Sequence, residues 1–413
     1  MKFSFRHTTV ACYIGYITQA IVNNLSPLLF LTFQRQLGIS LDKIALLITV
    51  NFCVQIGVDF LSTFFLDRVG YRRAVVAAHF FSAVGLFCLG TLPFLLPNAF
   101  VAILISTVTM AIGGGMIEVI ISPIMEAMPN EAKSSSMALL HSFYCWGQCG
   151  VVLLATLYFV LFDVTAWRYL PIFIALLPFL NAFAFCAVPI NTLTAVGEGT
   201  PLRSLFCRKL FWVFLLLMLC AGASELGVSQ WSSYFAEAGL HVSKTVGDLL
   251  GPCLFAVLMG IGRVLFGIFG ERLNLALCLS VSGLGCVLSY LLTVFSPIPW
   301  LSLVGCALSG FFVALMWPGL YSLGAVHFPK AGTAMFALFA FAGDLGCSSG
   351  PALIGLLTDG YLDGKFGFMG ALFSGGAESI GLRGGILFAA IFPLLMCLGT
   401  LPIYLKSRKE KKK

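Results

Sequence analysis

Charge is scarce in this sequence. Asp, Glu, Lys and Arg together make up 10% of its 413 residues, against roughly 25% in an ordinary soluble domain. That shortage excludes a soluble enzyme, a disordered chain and a nucleic-acid binder. Motifs for chemistry are missing as well. There is no Walker A loop and no HExxH. The 14 cysteines fall almost wholly inside apolar runs without metal-ligand spacing, so neither a metal nor another cofactor is expected. Gly346 to Gly350 spells GxSxG, but a nucleophile elbow needs a strand, a turn and a helix. In an apolar run these small residues signal close helix packing instead. Asn24-Leu25-Ser26 spells a glycosylation site inside an apolar run, directly before Pro27. The chain is therefore not expected to be an enzyme. The first apolar run, from about Thr8 to Leu31, is too long for a cleavable leader.

What is present is apolar. Hydrophobic residues make up 59% of the chain, and the mean hydropathy is +1.00. At about 30 residues for one span and its loop, the length accommodates roughly a dozen membrane helices. Apolar runs between polar turns predict them near 8–32, 41–66, 74–96, 99–128, 135–162, 166–188, 210–236, 246–269, 273–295, 298–325, 332–358 and 384–405. The Gly-rich stretch 359–383 is too polar to span. The longest polar stretch, 189–209, divides the chain into an N-terminal six-helix bundle (1–188), a cytoplasmic linker (189–209) and a C-terminal six-helix bundle with a basic tail (210–413). Net charge is +7, and its placement sets orientation. With both termini in the cytoplasm, the inner segments hold Lys2, Arg6, Arg68, Arg72, Arg73, Lys133, Arg203, Arg208, Lys209, Arg272, Lys330 and the tail from Lys406 to Lys413. The outer segments hold only Arg35, Lys43, Arg168, Lys244, Lys365 and Arg383. The bias favours a multi-pass protein of the cell membrane with both ends inside.

The two halves echo each other. Asp59 lies eight residues before Asp67-Arg68, and Arg263 lies eight before Glu271-Arg272. Ile-Ser-Pro at 121–123 and Met-Trp-Pro at 316–318 place a proline at matching depth in the fourth span of each half. Repeated six-helix halves are the layout of a rocking transporter with a binding site at mid-membrane.

The turn DRVGYRR (67–73) resembles the loop signature between helices two and three of the major facilitator superfamily, although Thr63 replaces its usual glycine; the second half keeps that glycine as Gly267. Within that superfamily the sequence is most similar to the fucose–proton symporter branch. NNLSPLLFLTFQ (23–34), GGGMIEVIISP (113–123), LLHSFYCWG (139–147) and MWPGLYSLG (316–324) carry the likeness. The resemblance implies a two-bundle, twelve-helix fold and proton-coupled uptake of solutes, typically sugars. It also implies that the turn residues Asp67, Arg68, Glu271 and Arg272 steady one conformation; a merely positive-inside turn is the plainer reading. Two positions depart from the branch: its first-helix Asp is Pro27 here, and its fourth-helix Asn is Ser122.

An ionisable side chain at mid-membrane costs roughly 2.5–3.5 kcal/mol on insertion scales, so each asks for an explanation. Glu118, Ser122 and Glu126 share one face of the fourth helix at intervals of four. Glu118 is the candidate proton carrier and solute acceptor, or else a permanently protonated group bonded within its bundle. Folding the fourth and fifth helices into a hairpin sets His141 opposite residue 122, between Glu118 and Glu126, where it either titrates, donates to solute, or packs as a neutral ring. Gln19, Asn23 and Asn24 offer amide donors and acceptors on the first helix, for hydroxyl groups or for interhelical bonds. Glu225, with Ser229 and Ser232 on its face, and Asp344, one turn from Ser348, are the second-half candidates for solute binding and proton coupling. Trp317 and Tyr321, one turn apart, either stack on a sugar ring or fill the core. Asp59 and Arg263 lie about 12 Å inward of the cytoplasmic helix ends; they read as gating charges, or as separate local pairs.

The expected activity is therefore secondary active transport by alternating access, with proton-coupled uptake of a small hydroxyl-bearing solute such as a sugar by a monomer in the lipid bilayer. Two alternatives stay open: a proton-coupled antiporter exporting drugs or other amphiphiles, for which 39 Phe supply a greasy lining, and a non-transporting solute receptor of the same fold.

Overall fold

The computed structural model describes residues 3–39, 41–129, 133–193, 202–236, 240, 242, 246 and 249–410. Among these, eleven helices are long and apolar enough to cross a membrane. One more, α1 (Phe5–Leu28), is long enough but carries Arg6, His7, Thr8, Thr9, Gln19, Asn23 and Asn24, and so is less apolar. With it the described residues form twelve candidate membrane helices. The others are α2 (Leu41–Val69), α3 (Tyr71–Thr91), α4 (Ala99–Glu126), α5 (Lys133–Phe162), α6 (Tyr169–Ala187), α7 (Lys209–Tyr234), α8 (Leu254–Phe269), α9 (Leu275–Phe295), α10 (Pro299–His327), α11 (Gly332–Leu362) and α12 (Ala377–Arg408).

Helix ends follow local chemistry. Gly70, at φ +87°, makes the turn from α2 to α3, a conformation only glycine enters without strain. The Asn98 side chain caps α4 by accepting from the Val101 N–H at 3.2 Å. Two boundaries differ from the sequence reading. The first apolar run breaks at Leu29, leaving a separate short helix at Phe30–Leu37. The twelfth helix starts at Ala377, inside the stretch expected to be loop, with Glu378 in its first turn, where a negative charge suits the helix dipole.

The packing of the first six helices is repeated by the last six. In the first half α4 packs on α1, α2 and α3, and α6 packs on α3 and α1. In the second half α10 packs on α7, α8 and α9, and α12 packs on α9 and α7. Each pair maps to the other by a shift of six helices, giving two pseudo-symmetric bundles. Close approach in both depends on glycine: a Cβ on Gly85 would lie 2.6 Å from that of Met110, across α3 and α4, and one on Gly305 would lie 2.6 Å from Thr293 Oγ1, across α9 and α10.

Two compact units are formed. The first comprises Met1–Glu131, Phe143–Leu205 and Phe328–Phe341; the second comprises Ala132–Ser142, Phe206–His327 and Ala342–Lys413.

Candidate functional site

In the first unit a polar stripe runs along α1. Tyr16, Gln19 and Asn23 are spaced so that their side chains share one helix face, and each bonds a different partner. Tyr16 Oη and Ser122 Oγ lie 2.8 Å apart. Gln19 Nε2 donates to Glu118 Oε2. Asn23 Oδ1 accepts from Gln55 Nε2 at 2.8 Å and Asn51 Nδ2 at 3.5 Å, while its Nδ2 donates to Tyr144 Oη at 3.4 Å. Gln19, Gln55, Glu118 and Ser122 are all buried. The spacing of Glu118 and Ser122 on α4 therefore meets that of Gln19 and Tyr16 on α1, and α2 and α5 close the cluster. Beside it the rings of Tyr13 and Phe143 stack at 4.0 Å.

Asn24 does not join this network; its Nδ2 donates to the Ala20 carbonyl of its own helix at 2.8 Å. Asp59 is fully buried on α2, one turn beyond Gln55.

The second unit is organised around Arg263 on α8, whose side chain is 3% exposed. Its Nε donates to the Ala314 carbonyl at 3.0 Å, its Nη1 to the His141 carbonyl at 3.1 Å, and its Nη2 to Glu225 Oε2 at 3.1 Å. The first bond has a local cause. Pro318 has no N–H, so the carbonyl four residues back, that of Ala314, lacks its helical donor. The helix breaks at Ala314 and Leu315, and the guanidinium takes the vacant acceptor. The His141 and Tyr321 rings are 5.7 Å apart, and Trp317 stands edge-on to Tyr321 at 6.4 Å. A Cβ on Gly343 would lie 2.6 and 2.8 Å from indole carbons of Trp317, so the ring rests on the α11 backbone next to buried Asp344. The Asp344 carbonyl accepts from Ser348 Oγ at 3.1 Å.

Two observations add to the sequence reading. His141 groups with the second unit, where its backbone carbonyl meets Arg263 and its ring meets Tyr321. Arg263 and Glu225 form one ion pair, in keeping with the local-pair alternative for Arg263.

At the turn between α2 and α3, Arg72 bridges the end of α6: Nη1 donates to the carbonyls of Phe185 and Cys186, and Nη2 to that of Val188, at 2.7 to 2.9 Å. Tyr71 Oη accepts from Thr333 Oγ1 at 2.9 Å. Arg68 and Arg272 are exposed, and the side chains of Pro27, Asp67 and Glu271 lie outside the described ones. Tyr16, Asn51, Gln55, Tyr144, Arg72 and Gly343 were not singled out from the sequence. The first and third were accessible to a spacing argument, since Tyr16 precedes Gln19 by three residues and Gln55 precedes Asp59 by four.

The Major Facilitator Superfamily family model matches residues 12–351. The chain belongs to that superfamily. No curated protein sequence matches it. Among solved structures it is similar to a variant of the E. coli fucose:proton symporter FucP, with 14% identity and a TM-score of 0.77 over 95% of this chain and 97% of that one. The same symporter in an outward conformation gives 14% and 0.76 over 95% and 98%. The proton:xylose symporter XylE bound to 6-bromo-6-deoxy-D-glucose gives 13% and 0.76 over 95% and 94%. At these identities the likeness shows the fold. This major facilitator chain is a multi-pass membrane transporter, and each unit holds a polar cluster that is a candidate functional region.

Proposed function

We propose that this transporter takes up a small hydroxyl-bearing solute of the sugar class together with a proton, and that Glu118 carries the proton. The observation that carries this reading is the buried Glu118 carboxyl, bonded by Gln19, one turn along α1 from the Asn23 amide, which bonds Asn51 and Gln55 of α2. A carboxyl in a membrane span is costly as an anion and cheap as an acid. Gaining and losing a proton there changes the energy of the site, which is what coupling to a proton gradient requires. Amides supply paired donors and acceptors, the chemistry that matches hydroxyl groups.

Glu225 and Asp344 are the second-unit acids, with Trp317 and Tyr321 as the aromatic faces for a sugar ring and His141 beside them. Asp59 and Arg263 act in gating, as do the turn pairs Asp67-Arg68 and Glu271-Arg272. Both termini face the cytoplasm, and the protein works as a monomer by alternating access. The resemblance to solved fucose and xylose symporters supports the sugar class, but Pro27 stands at the first-helix position where the fucose branch has an acid, so the preferred sugar is not fucose.

The test is Glu118→Gln in proteoliposomes. Glutamine keeps the shape and an acceptor but removes the titration. Accumulation driven by an inward proton gradient is lost, whereas solute exchange at equal pH survives. Wild-type accumulation with unchanged pH dependence in the variant would rule out Glu118 as the carrier. Efflux driven by the gradient in the unmodified protein would mark an exporter, and binding without flux a receptor.

A further inference from the structure

The Gln19 amide is half satisfied. Its side chain is 3% exposed. Its Nε2 donates to Glu118 Oε2, yet its Oε1 is buried without a hydrogen-bond partner. A buried acceptor left in that state is disfavoured and calls for an explanation. The two ends of the group differ in kind: the oxygen only accepts and the nitrogen only donates. Rotation by half a turn about the last side-chain torsion exchanges them, and that torsion is broad and roughly two-fold.

Glu118 determines which end must face it. An ionised carboxylate only accepts, so it requires the Gln19 NH2. A protonated carboxyl has an O–H to give, which Gln19 Oε1 can accept. We propose that Gln19 is an amide toggle that reads the protonation of Glu118 and presents the opposite hydrogen-bonding end to the solute. With Glu118 ionised, Nε2 is held by the carboxylate and Oε1 is left for a donor on the solute. When a hydronium ion on the open side protonates Glu118, one hydronium O–H bond breaks, one O–H bond forms on the carboxyl, and a water molecule is left. The Nε2–carboxylate hydrogen bond is then exchanged for one from that O–H to Oε1, and the amide offers Nε2 to the solute in its place. No other covalent bond forms or breaks. The inference rests on the reading of Glu118 as the proton carrier and adds how its charge state is transmitted. Gln19 acts here as a positioning residue.

Among the described residues, the other titratable groups on α4 and on the helices around this cluster include Tyr16 on α1, Asp59 on α2, His79 on α3, Tyr144 on α5 and, on α4 itself, Glu126; Tyr144 Oη accepts from Asn23 Nδ2 at 3.4 Å. Tyr16 is engaged with Ser122. Both ring nitrogens of His79 are taken, by the Val75 carbonyl and by Asn181 Nδ2. Among the described residues, Asp59 is the remaining buried carboxyl of this unit, so its signal must be separated from that of Glu118.

Infrared difference spectroscopy between acid and alkaline pH makes that separation on the full chain in liposomes without added solute. The glutamine side-chain carbonyl is labelled with carbon-13, and the spectra of wild type, Glu118→Gln, Asp59→Asn and Gln19→Met are compared. The expected result is a carboxyl band and a labelled amide band that shift with the same midpoint. Both are lost in Glu118→Gln and both are kept in Asp59→Asn. In Gln19→Met, which keeps length without hydrogen bonding, the amide band alone is lost. A carboxyl band that titrates and disappears in Glu118→Gln while the labelled amide stays still overturns the toggle and leaves the proton carrier standing. A labelled band that persists in Gln19→Met comes from Gln34, Gln36, Gln55, Gln148 or Gln230 and also overturns it. Absence of any carboxyl band dependent on Glu118 overturns the carrier and the toggle together. Gln19→Leu, which also lacks a side-chain carbonyl, makes the same assignment should Gln19→Met fail to fold.

Discussion

Arg263 donates from Nε to the carbonyl of Ala314 at 3.0 Å, the acceptor that Pro318 leaves without a helical donor. The same guanidinium holds Glu225 at 3.1 Å. A break in one helix, a cation on a second and an acid on a third are thus a single unit, and substitutions within it are expected to be non-additive. Restoring an N–H by Pro318→Ala gives Ala314 a competing donor. Arg263→Gln alone leaves Glu225 without its cation in a poorly solvated place. Combining them should cost less than the sum, with a coupling of about 0.5–3 kcal/mol from thermal or denaturant unfolding in detergent. Strict additivity would mean that the proline and the arginine act independently.

The contact between Trp317 and Gly343 gives a second expectation. Gly343→Ala inserts a methyl group where the indole already lies. Overpacking of this kind costs about 1–3 kcal/mol, or else the ring is displaced. Trp317→Phe removes the atoms in the way, so the double variant should recover stability that Gly343→Ala loses. Melting temperatures of the single and double variants decide it; no recovery would place the strain elsewhere on α11.

A third expectation concerns Arg72, which supplies donors to three carbonyls at the end of α6. Arg72→Ala leaves those carbonyls without a donor and should lower the melting temperature. Arg72→Lys should recover only part of the loss, because an ammonium group lacks the planar fork that spans several acceptors. Full recovery by lysine would show that charge at the helix end suffices.

The helices were legible because hydropathy in a chain this poor in charge varies on the scale of a span. The stripe on α1 and the Glu118–Ser122 face of α4 were legible because helical spacing is local. That Gln19 meets Glu118 was not, since spacing gives each face but not the rotation of one helix against another. The bond from Arg263 to the His141 carbonyl was not legible either, because it joins α8 to the first turns of α5 across 122 residues of chain. The role of Pro318 could be read as a free carbonyl at Ala314, but its donor lies 51 residues earlier in the chain and only packing brings it there. Arg72 looked like topology-setting charge, because the carbonyls it serves belong to a helix more than a hundred residues later.

The last expectation concerns the charge of the solute. Among the described residues, Arg263 is the only buried Lys or Arg, whereas Asp59, Glu118 and Asp344 are all buried acids. Arg263 is already engaged by Glu225. In the first unit Gln19 Oε1 and Asn51 Oδ1 are buried acceptors without partners. Such surroundings favour solutes that donate hydrogen bonds and disfavour anions, because a carboxylate would face acceptors and acids with no available cation. A hexose, its amino derivative and its acid derivative therefore separate the cases when each is tested for thermal stabilisation of the purified protein. The hexose and the amino sugar are expected to raise the melting temperature, by an amount corresponding to about 2.7 kcal/mol when the solute is at a hundred times its dissociation constant. The sugar acid is expected to have no effect at the same concentration. Stronger stabilisation by the acid than by the neutral sugar would mean that Arg263 leaves Glu225 to bind it, and would turn the assignment of solute class around.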